Sequence, residues 1–193
     1  MNSNPFFNIY IGPMFGAKTT RLLADIDRLK YKGKKVIAFK PNVDKRYTVD
    51  KISSHNNGTI EAYCIDNAEE ILTFISEYEE EEINRVHTIA VDEAFMINNI
   101  DKVLINCFRF GYNIIVSSIQ MNAQEQPFDN IKNMLPWATK INVCPAVCTM
   151  CDNDAYYTEA LFDIENATQE EKIGGKEMYE PRCGKHYSGF NLK

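Results

Sequence analysis

The sequence predicts an α/β fold, a parallel sheet flanked by helices, followed by a small cysteine-rich C-terminal unit. Three observations carry this expectation. Short β-rich runs alternate with amphipathic segments from the start of the chain, the pattern of strands joined by crossover helices. The apolar run 86–91 stops at Asp92-Glu93, as a buried central strand does when it presents carboxylates at its carboxyl edge, where open α/β sheets bind ligands. From Cys144 onward the composition shifts to cysteines, tyrosines and glycines, which sets a boundary between domains 1–143 and 144–193.

Each element follows from local pattern. Residues 7–11 read as a strand that feeds directly into a glycine-containing loop. Leu22, Leu23, Ile26 and Leu29 share one helical face over 19–32, and Gly33 marks the helix end. A second strand covers 35–39. Ile71, Leu72, Ile75 and Tyr78 recur at helical spacing over 68–78, and the glutamates at 79–82 form a solvated helix end. Beyond the central strand come a helix over 101–110, a strand over 113–119, a short helix over 129–135 and a last strand over 140–143. In the C-terminal unit, 155–164 and 172–173 are candidate hairpin strands.

The 193 residues, 45% hydrophobic and 25% charged, suffice for one sizeable core with a satellite module. A net charge of −6 provides no broad positive field for a phosphate backbone, so nucleic acid is not an expected partner. No apolar stretch approaches bilayer length, and the first residues lack the basic segment of a secretion signal, which points to the cytoplasm and away from membranes. In a reducing compartment the six cysteines read as a metal site rather than as disulfides.

The string Gly12, Pro13, Met14, Phe15, Gly16, Ala17, Lys18, Thr19, Thr20 lies between a predicted strand and a predicted helix, the context of a phosphate-binding loop. There backbone N–H groups and a helix N-terminus face the phosphates, Lys18 supplies a point charge and the Thr19 hydroxyl binds magnesium. Ala17 stands where the pattern GxxxxGK[ST] has glycine. If that position is left-handed, alanine costs about 1–2 kcal/mol, and Gly16 is adjacent to absorb the distortion.

Phosphoryl transfer needs positioning and charge neutralisation, and the paired acids divide that work: Asp92 for magnesium, Glu93 as the base that takes the acceptor's proton. Asp44 and Arg46, after the second strand, offer a further magnesium-side carboxylate and a guanidinium suited to phosphate. Cys148 and Cys151 form CxxC, and Cys183 and His186 form CxxH, the ligand pairs of a closed structural zinc site. Cys64, Cys107 and Cys144 are read as buried thiols without a role. A zinc clamp at its ends would tie down the long loop 152–182, which carries Gly174, Gly175 and Tyr179 and could cover a ligand at the sheet edge.

The order of motifs resembles the zinc-containing (type II) thymidine kinases over nearly the whole chain: GPMF with KTT, DKRY, SSH at 53–55, VDEA, QEQPF at 124–128, CTMC, IGG at 173–175, and Tyr179 four residues before Cys183. The resemblance implies a P-loop NTPase-like parallel-sheet core and a zinc domain whose lasso-like loop closes over the nucleoside. It further implies Mg-ATP as donor, a thymidine-like deoxynucleoside as acceptor, a homotetramer, and feedback binding of dTTP. It assigns catalysis to Glu93, Lys18 and Arg46. The nucleoside pocket falls to Met14, Phe128 and Tyr179, with Phe95, Ile119, Asn122, Ile173, Gly174 and Gly175 as further contacts.

Several positions depart from the family pattern. Besides Ala17, the usual DEAQF reads DEAFM, Gln120 replaces an aspartate, Asn122 a threonine or aspartate, Ala123 an aromatic and Ala160 an arginine. Two alternatives therefore stand beside the thymidine kinase: a kinase for a modified, 5-substituted pyrimidine nucleoside, and a nucleotide-binding regulatory protein with weakened turnover. A zinc ribbon for nucleic acid or protein contact is a third, opposed by the lack of a basic, aromatic-interleaved stripe.

Overall fold

The structure, a computed structural model, describes residues 4–42, 51–53, 58–79, 85–163 and 177–190. Asp44, Arg46, His55, Ile173, Gly174 and Gly175, and the end of the glutamate run at 80–82, lie outside the described residues.

The chain begins with β1 (Phe7–Ile11), α1 (Lys18–Tyr31) and β2 (Val36–Pro41). Short strands β3 (Lys51–Ser53), β4 (Thr59–Glu61) and β5 (Tyr63–Ile65) lead to α2 (Glu70–Tyr78) and β6 (Thr88–Val91). Then come α3 (Ile100–Arg109), β7 (Asn113–Ser118), α4 (Asp129–Met134) and β8 (Lys140–Val143). The C-terminal part holds β9 (Ala146–Val147), β10 (Asp154–Ala155), β11 (Tyr157–Ala160) and β12 (Tyr179–Arg182).

Six strands form one sheet in the order β5-β2-β6-β7-β1-β8, and every pair in it is parallel. Alternation along the strands decides which helix covers which face. Phe7, Ile9, Ile37, Phe39, Ile89, Val91, Ile114 and Val116 face α2, α3 and α4 and make the larger core. The opposite face presents Tyr10, Ala38, Ala90 and Ile115 to Leu22, Leu23, Ile26 and Leu29 of α1. The short loop from the end of β1 at Ile11 to the start of α1 at Lys18 keeps the helix N-terminus by the strand tips.

Local chemistry explains the helix ends. Gly33 (φ 69°) stops α1, with its N–H donating to Lys30 O and that of Lys34 to Leu29 O, a left-handed C-terminal cap. At α2, Glu70 Oε1 accepts from Asp66 N and Asn67 N at 3.0 Å each while Asn67 Oδ1 accepts from Glu70 N at 3.3 Å. This reciprocal box closes the turn just ahead of α2, and the helix itself begins at Glu70, two residues later than the apolar spacing indicates.

The predicted strand at 172–173 lies outside the described residues. β11 pairs antiparallel with β12, Thr158 opposite Pro181 and Ala160 opposite Tyr179. Pro181 argues against a strand in sequence, but a two-stranded ribbon has a free side on each strand where the missing N–H costs nothing. The pairing of β5 into the main sheet, the β3–β4 hairpin and the β9–β10 hairpin were not expected from the sequence. All are two or three residues per strand, too short for a period to register.

Candidate active site

The loop after β1 is shaped by one carbonyl. A Cβ on Gly12 would lie 2.2 Å from the main-chain oxygen of Cys144, and one on Gly16 2.4 Å from the same atom. Cys144 is itself anchored, its N–H donating to Ile11 O at 2.7 Å. Both glycines are therefore required by close backbone approach. Phe15 (φ 65°) and Ala17 (φ 53°, ψ 28°) are left-handed. The conformation anticipated for Ala17 is present, and each such residue costs about 1–2 kcal/mol.

Lys18 opens α1 and is buried, only 7% exposed, with Nζ donating to Pro13 O at 2.7 Å. Its ammonium is thus folded under the loop. Thr19 Oγ1 donates to the Asp92 carboxylate, at 3.2 Å from Oδ1 and 3.0 Å from Oδ2. β7 separates β1 from β6, so the two tips are roughly 10 Å apart at ordinary strand spacing. The small, fully buried Ser117 and Ser118 at the tip of β7 leave room for the contact.

Burial pushes the Asp92 carboxyl up to about 7, helped by the neighbouring charge of Glu93 and opposed by the Thr19 hydroxyl and the Lys18 ammonium. A buried acid held this high sits where a cation would restore its charge. Its donor set with Thr19 is oxygen only, which fits a hard divalent ion such as magnesium.

Glu93 is left-handed (φ 50°) and half-buried, leading into a single 3-10 turn, Ala94–Met96. Phe95 of that turn meets Phe128 with ring centroids 4.8 Å apart. Met14 N donates to Thr158 Oγ1 at 3.2 Å, and Gln120 Nε2 to Tyr156 O at 3.1 Å, so the β10–β11 segment is tied to both the phosphate loop and the end of β7. Tyr179, on β12, is buried and packs edge-on against Phe162 at 5.5 Å. Ile119, directly after β7, is half-buried. Asn122 is occupied otherwise: its Oδ1 accepts from Gln124 N at 3.0 Å and Gln126 N at 2.9 Å, holding a turn together.

Cys148, Cys151, Cys183 and His186 converge, all ligand atoms within 4.8 Å of one another. Cys151 Sγ lies 3.8 Å from Cys183 Sγ, and His186 Nδ1 lies 3.6 Å from Cys148 Sγ and 3.5 Å from Cys183 Sγ. A tetrahedron with ordinary zinc bond lengths has S···S edges of about 3.8 Å and S···N edges of about 3.6 Å, so the residues fit zinc. Tight turns build it: Cys151 N donates to Cys148 O and His186 N to Cys183 O. Of the other cysteines, Cys107 and Cys144 are buried and Cys64 half-buried.

Sequence reasoning overlooked the Cys144 carbonyl, Thr158 and Asn130. The first is main chain and leaves no side-chain signature. A threonine in a strand and an asparagine in a helix are ordinary in sequence, and only the pairing of distant segments gives them partners.

A parallel sheet with a lysine- and threonine-bearing loop at one strand tip and a buried aspartate followed by a glutamate at another defines a nucleotide-handling α/β protein of the phosphate-loop class. The thymidine kinase family model matches residues 6–187. Similar proteins include a thymidine kinase of Onion yellows phytoplasma (strain OY-M), 34% identical, with 94% of this chain and 86% of that protein covered. A thymidine kinase of Aster yellows witches'-broom phytoplasma (strain AYWB) is 33% identical over the same shares. The chain belongs to the thymidine kinase family. Family membership favours a thymidine-phosphorylating enzyme over the regulatory protein, the interaction ribbon and the kinase for a modified pyrimidine.

Proposed function

We propose that this protein transfers the γ-phosphoryl group of ATP to the 5′-hydroxyl of thymidine, giving the 5′-monophosphate for DNA precursor salvage. The observation that carries the reading is the meeting of Thr19 and Asp92 beside buried Lys18.

In the reaction the P–O bond to the β-phosphate breaks as the bond to the 5′-oxygen forms, and the hydroxyl proton leaves. Glu93 accepts that proton on its carboxylate. Gly12, Pro13, Met14, Phe15, Gly16, Ala17 and Thr20 shape the loop around the phosphates. Lys18 turns from Pro13 O to the transferring group, a point charge where negative charge gathers. Thr19 and Asp92 would hold magnesium, which would neutralise phosphate charge, and the resemblance assigns Asp44 as a further carboxylate for it. Arg46 adds positive charge.

Met14, Phe95, Ile119, Phe128 and Tyr179 are assigned to the nucleoside pocket, together with Ile173, Gly174 and Gly175 in the covering loop. The Phe95–Phe128 pair supplies aromatic surface that Ala123 lacks. Asn122 is retained at the pocket only as the residue that holds the 122–126 turn. Structural zinc on Cys148, Cys151, Cys183 and His186 anchors the covering loop, so that 1–143 act as the kinase core and 144–193 as the lid domain. A homotetramer, feedback by dTTP and a cytoplasmic location complete the reading; among the described residues no helix is long and apolar enough to cross a membrane.

Purified protein with γ-labelled ATP and a panel of thymidine, deoxyuridine and 5-substituted analogues tests this. Labelled thymidine monophosphate is expected. Nucleotide binding without product would overturn the reading.

A further inference from the structure

Asn130 is half-buried in the first turn of α4. Its side-chain nitrogen faces three main-chain carbonyls of the turn that follows Glu93: Ala94 O at 3.1 Å, Phe95 O at 3.4 Å and Ile97 O at 3.3 Å. Its side-chain oxygen accepts from Ile131 N at 2.8 Å, which orients the amide with its donors toward the turn. A carboxamide has two N–H groups, so three carbonyls share two donors.

The side chains of Ala94 and Ile97 are buried in the larger core, while the carbonyls of 94, 95 and 97 face the Asn130 amide. Met96 N donates to Glu93 O at 3.0 Å and Ile97 N to Ala94 O at 3.2 Å, and Phe95 touches Phe128 just ahead of α4. It is entered through left-handed Glu93 (φ 50°), a conformation that a residue with a Cβ keeps only where its surroundings over-determine it. Rotation at Glu93 toward an ordinary backbone would swing the carbonyls of 94, 95 and 97 away from Asn130.

We infer that Asn130 is a positioning residue, whose carboxamide grips the 94–97 turn and so holds the Glu93 carboxylate at the strand tip and Phe95 against the nucleoside pocket. This rests on the reading of Glu93 as the base.

The test compares wild type, Asn130→Ala, Asn130→Asp, Asn130→Gln, Glu93→Gln and the double variant Glu93→Gln/Asn130→Ala, with ATP and thymidine as substrates and ATP affinity measured by equilibrium dialysis. Asn130→Ala is expected to lower kcat by about 10- to 100-fold, the scale of a misplaced catalytic group, with ATP affinity unchanged. Asn130→Asp, the same size without donors, falls at least as far, and Asn130→Gln, which keeps the donors, recovers part of the loss. On the Glu93→Gln background, the Asn130 change adds less than about 2-fold, as for residues that act as a unit.

An active wild type with undiminished kcat in Asn130→Ala overturns the inference alone. So does a full additional loss on the Glu93→Gln background, which marks a merely structural role. Should Asn130→Ala not fold, Asn130→Asp carries the same comparison. A wild type without thymidine turnover overturns the functional reading first, and the inference with it.

Discussion

Thr19 and Asp92, 73 residues apart in the chain, are joined across the tip of β7 by a hydroxyl that donates to both carboxylate oxygens, at 3.2 and 3.0 Å. The contact puts the phosphate loop and the acids on one side of the sheet. It predicts coupling. Thr19→Ala and Asp92→Asn should each raise the magnesium needed for half-maximal turnover, and the double variant should lose much less than the two losses combined. Losses that add to within about 0.5 kcal/mol would show that the pair acts independently.

Glu93→Gln keeps the shape of the side chain and removes its capacity to take a proton. Turnover should fall by about 100- to 10,000-fold, the range of general acid–base catalysis, while ATP affinity stays at the wild-type value. Single-turnover product formation measures it; a loss in binding with turnover intact would contradict the role.

Ala17 carries backbone strain, at φ 53°. Ala17→Gly relieves about 1–2 kcal/mol and gives back about 0.5–1 kcal/mol in unfolded-state entropy. The net gain of about 0.5–1 kcal/mol should raise Tm by about 1–4 °C for a chain of this size. Calorimetry that finds a lower Tm would mean that the loop is strained elsewhere.

The cysteine–histidine cluster should hold one zinc ion per chain by atomic absorption, and Cys183→Ser should lose it. Because Met14 N is tied to Thr158 in the adjoining hairpin, metal removal should raise KM for thymidine more than KM for ATP. Equal changes in both would detach the metal site from the nucleoside pocket.

His87 titrates below its ordinary value because of burial and, second, the charge of Lys34. The folded state therefore binds this proton less readily than the unfolded chain, so stability is complete above about pH 6.5 and is lost as pH falls through that value. This runs against Asp92, whose raised carboxyl binds its proton more readily in the folded state and so favours folding as pH falls. The slope of the urea midpoint between pH 7 and pH 5 is the difference of the two, and His87→Gln should tilt it toward greater stability at pH 5. A slope unchanged by the substitution would assign it to other groups.

The legible parts of the fold were those with length. β1, α1 and β8 lie where the apolar spacing puts them, because several residues repeat a period. The hairpins of two or three residues per strand were not readable, nor was β12, whose Pro181 speaks against a strand until its partner is known. In the site, the loop lysine and threonine, the paired acids and the two ligand pairs were legible since each group lies within a few residues of sequence.

The sequence by itself determined the family, the α/β class, the glycine loop after β1 and the four residues of the cysteine–histidine cluster, because each is written in short spacings. Only the tertiary structure decided that Thr19 reaches Asp92, that one carbonyl of Cys144 fits between Gly12 and Gly16, and that Asn130 braces the turn beyond Glu93. Those contacts join segments that strand order and helix packing bring together, and no local spacing encodes strand order.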